Sequence, residues 1–140
     1  MNAPTFDHEK LKVYQDALRF IAWVTPLLDR LPGKVAARDQ LDRAATSIVL
    51  NLAEGNGTRS PADRCRYFDS ARGSGVECAA CLDVLLVKKL VTEVDVAAGK
   101  SLLLEVVSMT AGLIARFGGT VREDAVEYPL NDGIEEKEKD

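Results

Sequence analysis

Apolar residues recur at intervals of three and four along four consecutive segments of this 140-residue chain. The second segment carries the clearest example, a stripe of small and branched residues formed by Leu41, Ala44, Ala45, Ile48, Leu52 and Ala53. Such spacing places apolar side chains on one face of an α-helix. The chain shows neither the alternation of a half-buried β-strand nor an internal repeat. The pattern therefore predicts an all-α protein.

Helix-stopping residues divide this pattern into four helices with short connections. The predicted helices cover residues 10–30, 36–54, 61–88 and 92–117. Four amphipathic helices joined by short links favour an antiparallel up-and-down four-helix bundle, and a chain of this length usually forms one domain. The bundle is therefore predicted to cover residues 1–117. The remaining residues, 118–140, are acidic and aperiodic, which predicts a mobile tail.

The connection between the second and third helices has the sequence NLAEGNGTRSPADR, from Asn51 to Arg64. Gly55 follows the last apolar residue of the second helix, where a left-handed cap is common. Ser60 is placed to cap the third helix, and Pro61 takes its first position, where no amide hydrogen is needed. A phosphate-binding loop would need a preceding strand and a Gly-Lys-Ser or Gly-Lys-Thr sequence, and neither is present. The stretch is predicted to be a corner between two helices.

The net charge of −4 is unevenly distributed along the chain. Residues 118–140 hold three basic and eight acidic residues, whereas residues 1–117 hold fifteen and fourteen. A nearly neutral body with a mildly basic middle leaves nucleic-acid binding open as a function. The candidate contacts are basic residues from the middle of the chain, namely Lys34, Arg38, Arg59, Arg64 and Arg66. The alternative is that these side chains are solvated or pair with aspartates at helical spacing.

A polar stripe accompanies the apolar stripe of the second helix. It consists of Arg43, Ser47, Asn51 and Glu54. One interpretation is a solvated face, and the other is a polar contact with another helix. Because this helix is apolar over more than one face, it is predicted to be buried on several sides or to lie at an interface.

The third helix is rich in small residues, and two of its glycines are unfavourable inside a helix. Gly73 and Gly75 each cost about 1 kcal/mol relative to alanine, which suggests that another backbone passes close by. Arg72 interrupts an apolar stripe, so it is expected to need a carboxylate partner such as Glu54 or Glu77. The surplus of apolar and small surface predicts a homo-oligomer. Candidate contact residues are Arg43, Ser47, Asn51, Glu54, Arg72, Gly75 and Glu77.

The residues suited to catalysis or metal binding are few. His8 is the single histidine, and the pair Cys78 and Cys81 falls in the middle of a helix rather than at its N-terminus. Zinc would need a second cysteine pair or more histidines, so no catalytic, cofactor or metal site is predicted and the cysteines are interpreted as core residues. Free cysteines, no secretory signal and no continuous apolar run of about 18 residues predict a cytoplasmic protein without a membrane helix.

Three segments of the chain match the pattern of a known family. They are FDHEKLKVYQDAL at residues 6–18, QLDRAATSIVLNLAEGNGTRS at residues 40–60, and RYFDSARGSGVEC at residues 66–78. With these segments the chain resembles the four-helix-bundle 23S ribosomal RNA intervening-sequence proteins. The resemblance extends over residues 6–117, and the segment from the second helix is its most specific part.

The resemblance implies an up-and-down bundle whose copies assemble into a ring of five. Some members of the family are encoded inside inserts in ribosomal RNA genes, and a similar bundle acts as an accessory protein of diversity-generating retroelements, where a basic surface engages nucleic acid. No member is an established enzyme, so the resemblance implies a non-enzymatic assembly or macromolecule-binding module, with RNA or DNA binding as the alternative. Two positions depart from the usual pattern. Val49 replaces a frequent proline, and Thr58 replaces a frequent arginine, which weakens any assignment of a basic contact there.

Overall fold

The computed structural model describes residues 5–124, with side chains up to residue 118, and over this range it contains helices and no strand. A short 3-10 helix, Asp7–Lys10, precedes four α-helices. Their bounds are Lys12–Asp29 for α1, Ala36–Gly57 for α2, Pro61–Val87 for α3 and Glu93–Asp124 for α4. The prediction of an all-α protein with four helices is confirmed.

Each helix packs against two others. The most extensive contacts join α2 to α3 and α3 to α4, and α1 lies against both α4 and α2. Within the described residues the Cα atoms of α1 and α3, and those of α2 and α4, stay more than 8 Å apart, so the helices occupy the four corners of a bundle around one core. The largest fully buried side chains of that core are Phe20, Phe68, Leu27, Leu41, Ile48, Leu52, Leu82, Leu85 and Leu103.

The starts of α3 and α4 follow ordinary capping rules. The Ser60 hydroxyl accepts a hydrogen bond from the Asp63 amide at 3.4 Å, and Pro61 takes the first helical position, as the sequence predicts. The start of α4 is capped reciprocally. Thr92 Oγ1 accepts from the Asp95 amide at 3.0 Å, and the Asp95 carboxylate accepts from the Thr92 amide at 3.1 Å. Each arrangement satisfies amide groups that a helix N-terminus leaves unpaired.

The predicted role of Gly55 as a left-handed cap is wrong. Helix α2 continues through this residue to Gly57, and no glycine among the described residues has a positive φ angle. Gly55 instead lies inside the bundle against α3, where an added Cβ atom would come within 2.6 Å of the Phe68 ring. The absence of a side chain at Gly55 therefore allows close contact between α2 and α3.

A left-handed cap does occur, but at the end of α3 and without glycine. Lys89 has a φ angle of 63°. Its amide donates to the Leu86 carbonyl at 2.9 Å, and the Leu90 amide donates to the Leu85 carbonyl at 2.9 Å. This pair of hydrogen bonds is the Schellman motif that ends many helices.

Helix α4 extends past its predicted end. The prediction stops it at residue 117, before two glycines, but the helix continues to Asp124. A glycine lowers helix propensity by about 1 kcal/mol and does not by itself stop a helix. The predicted mobile tail lies outside the described residues from residue 125 onward.

One helix among the described residues meets the length and composition of a membrane span, namely α4 over Glu93–Gly118. The sequence prediction required a continuous apolar run of about 18 residues, and Lys100, Glu105 and Arg116 interrupt such a run in this segment. One side of this segment packs into the bundle through Leu103 and Val106, which are buried. Of its most apolar 18-residue window, 17% is buried within one chain.

Candidate interaction surfaces

Three of the five candidate basic residues lie at the corner between α2 and α3. Arg64 is half-buried there, and its guanidinium donates to the Thr58 carbonyl at 3.0 Å. Its Cζ atom also lies 4.4 Å from the centroid of the Phe117 ring of α4. The hydrogen bond and the cation–π contact hold the corner against α4. Arg64 is therefore a structural residue of the corner as well as part of its positive charge.

The other two arginines of the corner face solvent. Arg59 lies in the connection itself and is exposed. Arg66 is exposed on the first turns of α3 and pairs with Asp63. An exposed ion pair of this kind contributes about 0–1 kcal/mol, so Arg66 can leave it for another anion at little cost.

The remaining two basic candidates lie at the opposite end of α2. Lys34 is exposed in the connection that precedes this helix. The Arg38 Nε atom donates to the Leu28 carbonyl at 3.0 Å and its Nη1 atom to Asp39 at 3.3 Å, so this side chain ties α2 to the end of α1. The length of α2, about 30 Å at 1.5 Å per residue, separates both residues from the corner. The structure does not bring the five candidates into one patch.

An open cleft of about 420 Å³ lies beside the corner, between the last turns of α2 and the first turns of α3. Its walls are polar side chains and one aromatic ring, contributed by Asn51, Thr58, Asp63, Arg66, Tyr67 and Ser70. Neither Tyr67 nor Ser70 is among the candidate residues indicated by the sequence. The available signal was the polar spacing of Asp63, Arg66 and Ser70 on α3, which spans seven residues like that of Asn51 on α2 and Thr58 directly after it.

Half of the predicted polar stripe of α2 faces α3. The Ser74 hydroxyl of α3 donates to the Ser47 hydroxyl at 2.9 Å, and the Asn51 side-chain amide donates to the Ser47 carbonyl at 2.9 Å. These three residues are half-buried, whereas Arg43 and Glu54 are exposed. The stripe therefore lies along the rim of the contact between α2 and α3 inside one chain.

The two glycines of α3 have different surroundings. A Cβ atom added to Gly75 would lie 2.8 Å from the Val107 side chain of α4, whereas nothing lies within 4 Å of one added to Gly73. The close partner of Gly75 is therefore α4 of the same chain. The small residues of α3 are used for packing against α2 and α4, which accounts within the monomer for part of the surface that predicted an oligomer.

The predicted environment of Arg72 is wrong. Its guanidinium lies on the exposed side of α3 and pairs at 3.2 Å with Asp69, one turn earlier, and not with Glu54 or Glu77. Glu77 is exposed as well. Arg72 is adjacent to the apolar stripe in sequence but points away from the core, so it needs no buried carboxylate.

An apolar stripe follows the solvent side of α3 from Gly73 to Val87, with Val76, Ala80 and Val84 between them. The three valines are 53%, 43% and 81% exposed in chain order. The spacing of three and four places these residues on one face, and the stripe is about 21 Å long at 1.5 Å per residue. We call it the outer stripe of α3.

Two of the three cysteines, Cys78 and Cys81, are buried core residues, and Cys65 is partly buried. Cys78 is fully buried, and desolvation raises the pKa of its thiol to about 12. Burial also raises the pKa values of Cys81 and Cys65. A thiol with a raised pKa is a poor nucleophile and metal ligand at neutral pH. In the described part of the chain, no group of three potential ligands is placed to hold a metal ion.

Comparison with known proteins gives one family and one fold. The model of the 23S rRNA-intervening sequence protein family matches residues 9–112. The solved structure of a protein of unknown function from Bacteroides thetaiotaomicron, from the S23 ribosomal protein family, has a TM-score of 0.69 with this chain. The two are 21% identical, and the match covers 73% of this chain and 97% of that one. No curated protein matches the chain.

Proposed function

This chain belongs to the family of 23S rRNA-intervening sequence proteins, and from that premise we propose that it acts without catalysis, as a homo-oligomeric assembly or macromolecule-binding module. The proposed subunit is an antiparallel up-and-down bundle. The proposed assembly is a ring of five copies in the cytoplasm, with no membrane partner. In support, the description of the matched family names no enzymatic activity, and the related solved structure is that of a protein of unknown function.

The short connections support the antiparallel arrangement. Helix α2 ends at Gly57 and α3 begins at Pro61, and the residues between them can span only about 10–14 Å even when extended. The extensive contact between α2 and α3 supports a return of α3 along α2. The Ser47–Ser74 hydrogen bond, far from the corner in sequence, agrees with this return.

The outer stripe of α3 is the observation that carries the proposed assembly. Three exposed valines on one uninterrupted apolar face are more than a solvated helix needs. Full burial of a valine side chain contributes about 1.5–3 kcal/mol, so a second copy covering this face would gain a substantial part of that amount at each valine. We propose that the partner of the stripe is another copy of this chain.

A ring needs two different faces on each copy, because a face that meets itself closes a pair. The outer side of α4 offers a second apolar face through Val94 and Leu104, both well exposed. Contact between the outer stripe of one copy and the outer side of α4 of the next copy is a head-to-tail arrangement. Such an arrangement forms a ring where the rotation between copies closes, and a filament where it does not. The number five comes from the family resemblance.

The mass of the protein in solution, measured by light scattering after size exclusion, tests this proposal. At tens of micromolar we expect about five times the chain mass of 15.2 kDa. The double substitution Val76→Glu and Val84→Glu should reduce the mass to that of the monomer without unfolding the helices, because both valine side chains face solvent in one chain. Ala62→Glu, exposed on the same side of α3 but before the stripe, is the matched control. A monomeric wild-type protein would contradict the proposal.

Nucleic-acid binding is the second candidate function, and the corner between α2 and α3 favours it. Arg59 and Arg66 are exposed there, with Arg64 beneath them. A ring would present this corner once per copy, and several weak contacts would add through avidity. We expect the protein to bind labelled RNA at low salt and to lose affinity steeply as the salt concentration rises. No detectable binding of the labelled RNA at low salt, as the protein concentration is raised, would contradict nucleic-acid binding.

A further inference from the structure

We propose that the cleft beside the corner of α2 and α3 binds one unpaired nucleotide of a single-stranded nucleic acid. The base lies against the ring of Tyr67, and the adjoining phosphate contacts Arg66. This inference rests on nucleic-acid binding, the second candidate function, and is independent of the proposed ring. It assigns a ligand to a cleft that the arginines of the corner alone do not explain.

The lining of the cleft offers both hydrogen-bond donors and acceptors. Asn51 uses its side-chain NH₂ group on the Ser47 carbonyl and hydroxyl, at 2.9 and 3.0 Å, which leaves its carbonyl oxygen as an acceptor. Thr58 donates its hydroxyl hydrogen to the Glu54 carbonyl at 2.7 Å and keeps acceptor capacity. The hydroxyl of Ser70 can donate or accept a hydrogen bond. The exposed edge of an unpaired base likewise carries donors and acceptors side by side.

The aromatic wall and the shape of the cleft suit a base that has left its stack. Unpaired bases are commonly recognised by stacking on a tyrosine ring, and Tyr67 lines the cleft while remaining half-buried. A volume of about 420 Å³ falls within the range of about 300–1,000 Å³ typical of small-ligand sites. Because the cleft is open to solvent, the rest of a strand can continue outside it.

The charges at the rim distinguish a nucleotide from a neutral ligand such as a sugar. Arg66 and Asp63 both line the cleft and form a direct, solvent-exposed ion pair there. A phosphate oxygen can replace that carboxylate, since arginine binds both groups through the same fork of N–H donors. Arg59 adds a second exposed positive charge in the connection beside it. The contact of Arg64 with Thr58 and Phe117 keeps this wall of the cleft in place before any ligand arrives.

Fluorescence anisotropy with labelled single strands tests the proposal on the full chain. The probes are eight-nucleotide homopolymers of RNA and of DNA, each labelled at the 5′ end, in 50 mM salt. We expect Tyr67→Leu to weaken binding about tenfold and Tyr67→Phe to keep it within about twofold, because stacking on an aromatic ring contributes most of the affinity for a single base. Tighter binding of RNA than of DNA would show that the 2′-hydroxyl is also recognised.

The chain contains a matched control for the arginine. Arg66 pairs with Asp63, and Arg72 pairs with Asp69. In both pairs the aspartate lies three residues earlier on α3, but only Arg66 lines the cleft. We expect Arg66→Ala to weaken binding and to lower the salt slope by about 0.7, the value for one phosphate contact on a single strand. Arg72→Ala should leave both quantities unchanged. Equal losses in the two variants would instead indicate diffuse attraction to the surface.

A variant that blocks the cleft completes the design. Ser70 is exposed, so Ser70→Leu should not disturb folding. The leucine side chain would obstruct the cleft, and we expect it to weaken strand binding about as much as Tyr67→Leu does. Thermal unfolding of each variant verifies that the bundle is intact. Failure of every strand to bind, or full affinity in both Tyr67→Leu and Ser70→Leu, would overturn the proposal. The light-scattering mass tests the ring separately, so failure of one leaves the other standing.

Discussion

Gly55 of α2 lies directly against the ring of Phe68 of α3. An added Cβ atom would be 2.6 Å from Cε1 and 2.8 Å from Cδ1 of that ring. Phe68 is fully buried, and the Phe117 ring of α4 lies behind it at a centroid distance of 6.1 Å. The phenylalanine therefore has little room to retreat, and the contact sets how closely α2 and α3 approach.

We expect Gly55→Ala to lower the free energy of unfolding. Overpacking a core costs about 1–3 kcal/mol, which exceeds the gain of about 1 kcal/mol from helix propensity. Gly112→Ala is the control, because nothing lies within 4 Å of a Cβ atom at this helical position. Urea unfolding should show a loss for the first variant and a gain for the second. Equal gains would mean that Phe68 moves aside freely.

The misassigned cap at Gly55 shows where sequence reasoning about this fold stops. The apolar spacing within each helix predicts four helices, and the Ser60–Pro61 pair predicts where α3 begins, because both signals are local. The closeness of Gly55 to Phe68 depends on how α2 and α3 are rotated about their axes. The apolar pattern of either helix alone does not determine that rotation. The sequence therefore predicts a turn at Gly55, where the structure needs a glycine for packing.

In the described part of the chain, Lys89 is the one residue with a positive φ angle, which is 63°. A side chain in this left-handed conformation costs about 1–2 kcal/mol, whereas glycine adopts it without strain. We therefore expect Lys89→Gly to raise the free energy of unfolding by about 0.5–1 kcal/mol after the added entropy of the unfolded chain.

The neighbouring lysine is the control for this prediction. Lys88 has a φ angle of −75°, in the right-handed region, so Lys88→Gly removes no strain and should cost up to about 1 kcal/mol. Both variants lose one positive charge from the same exposed turn, which cancels electrostatic effects. Thermal melts of the two variants should shift in opposite directions, and a parallel shift would contradict the strain argument.

The buried thiol of Cys78 makes stability depend on alkaline pH. Burial raises its pKa in the folded state to about 12, above the usual value of 9.0. A group with a raised pKa holds its proton more tightly when folded, so its contribution is complete below pH 9 and is lost as pH rises towards 12. Loss of this contribution is limited to about 1.4 kcal/mol per pH unit, the value for one proton.

Urea unfolding of the wild type and of Cys78→Ala at pH 8, 9, 10 and 11 measures this dependence. Other groups also titrate in this range, so the relevant quantity is the difference between the two proteins. We expect that difference to be constant from pH 8 to 9 and then to shift against the wild type. A constant difference up to pH 11 would show that the thiol ionises as readily when folded as when unfolded.

The candidate site was less predictable than the fold. The predicted bounds of 36–54 for the second helix already place Lys34 and Arg38 at its start and Arg66 beyond its end. Sequence reasoning could not show that a cleft lies beside the corner. It also could not separate Arg66, which lines the cleft, from Arg72, which does not, because both belong to the same local Asp–Arg pattern. A cleft between two helices is a property of their relative placement, and only the structure makes Tyr67 and Asn51 its walls.

Asp16 is the buried carboxylate of α1, and its partners suggest a final prediction. It accepts hydrogen bonds from Lys12 at 3.0 Å and from Arg19 at 2.5 Å, and Lys12 also reaches Glu105 of α4 at 2.8 Å. Hydrogen bonds to a charged group contribute about 1.5–3 kcal/mol, so Asp16→Asn should lower the free energy of unfolding by roughly that amount.

The exposed acid of the same cluster provides the contrast. Glu105 faces solvent and shares Lys12 with Asp16, so Glu105→Gln should cost no more than about 1 kcal/mol, as is usual for exposed ion pairs. The effect of Glu105→Gln should also fade in 1 M salt, where screening acts over about 3 Å, whereas most of the Asp16→Asn effect should persist because this carboxylate is buried. Urea unfolding at low and high salt separates the two. Equal losses that both vanish in salt would mean that the ion pairs of Asp16 are screened as fully as that of Glu105, and that burial does not strengthen them.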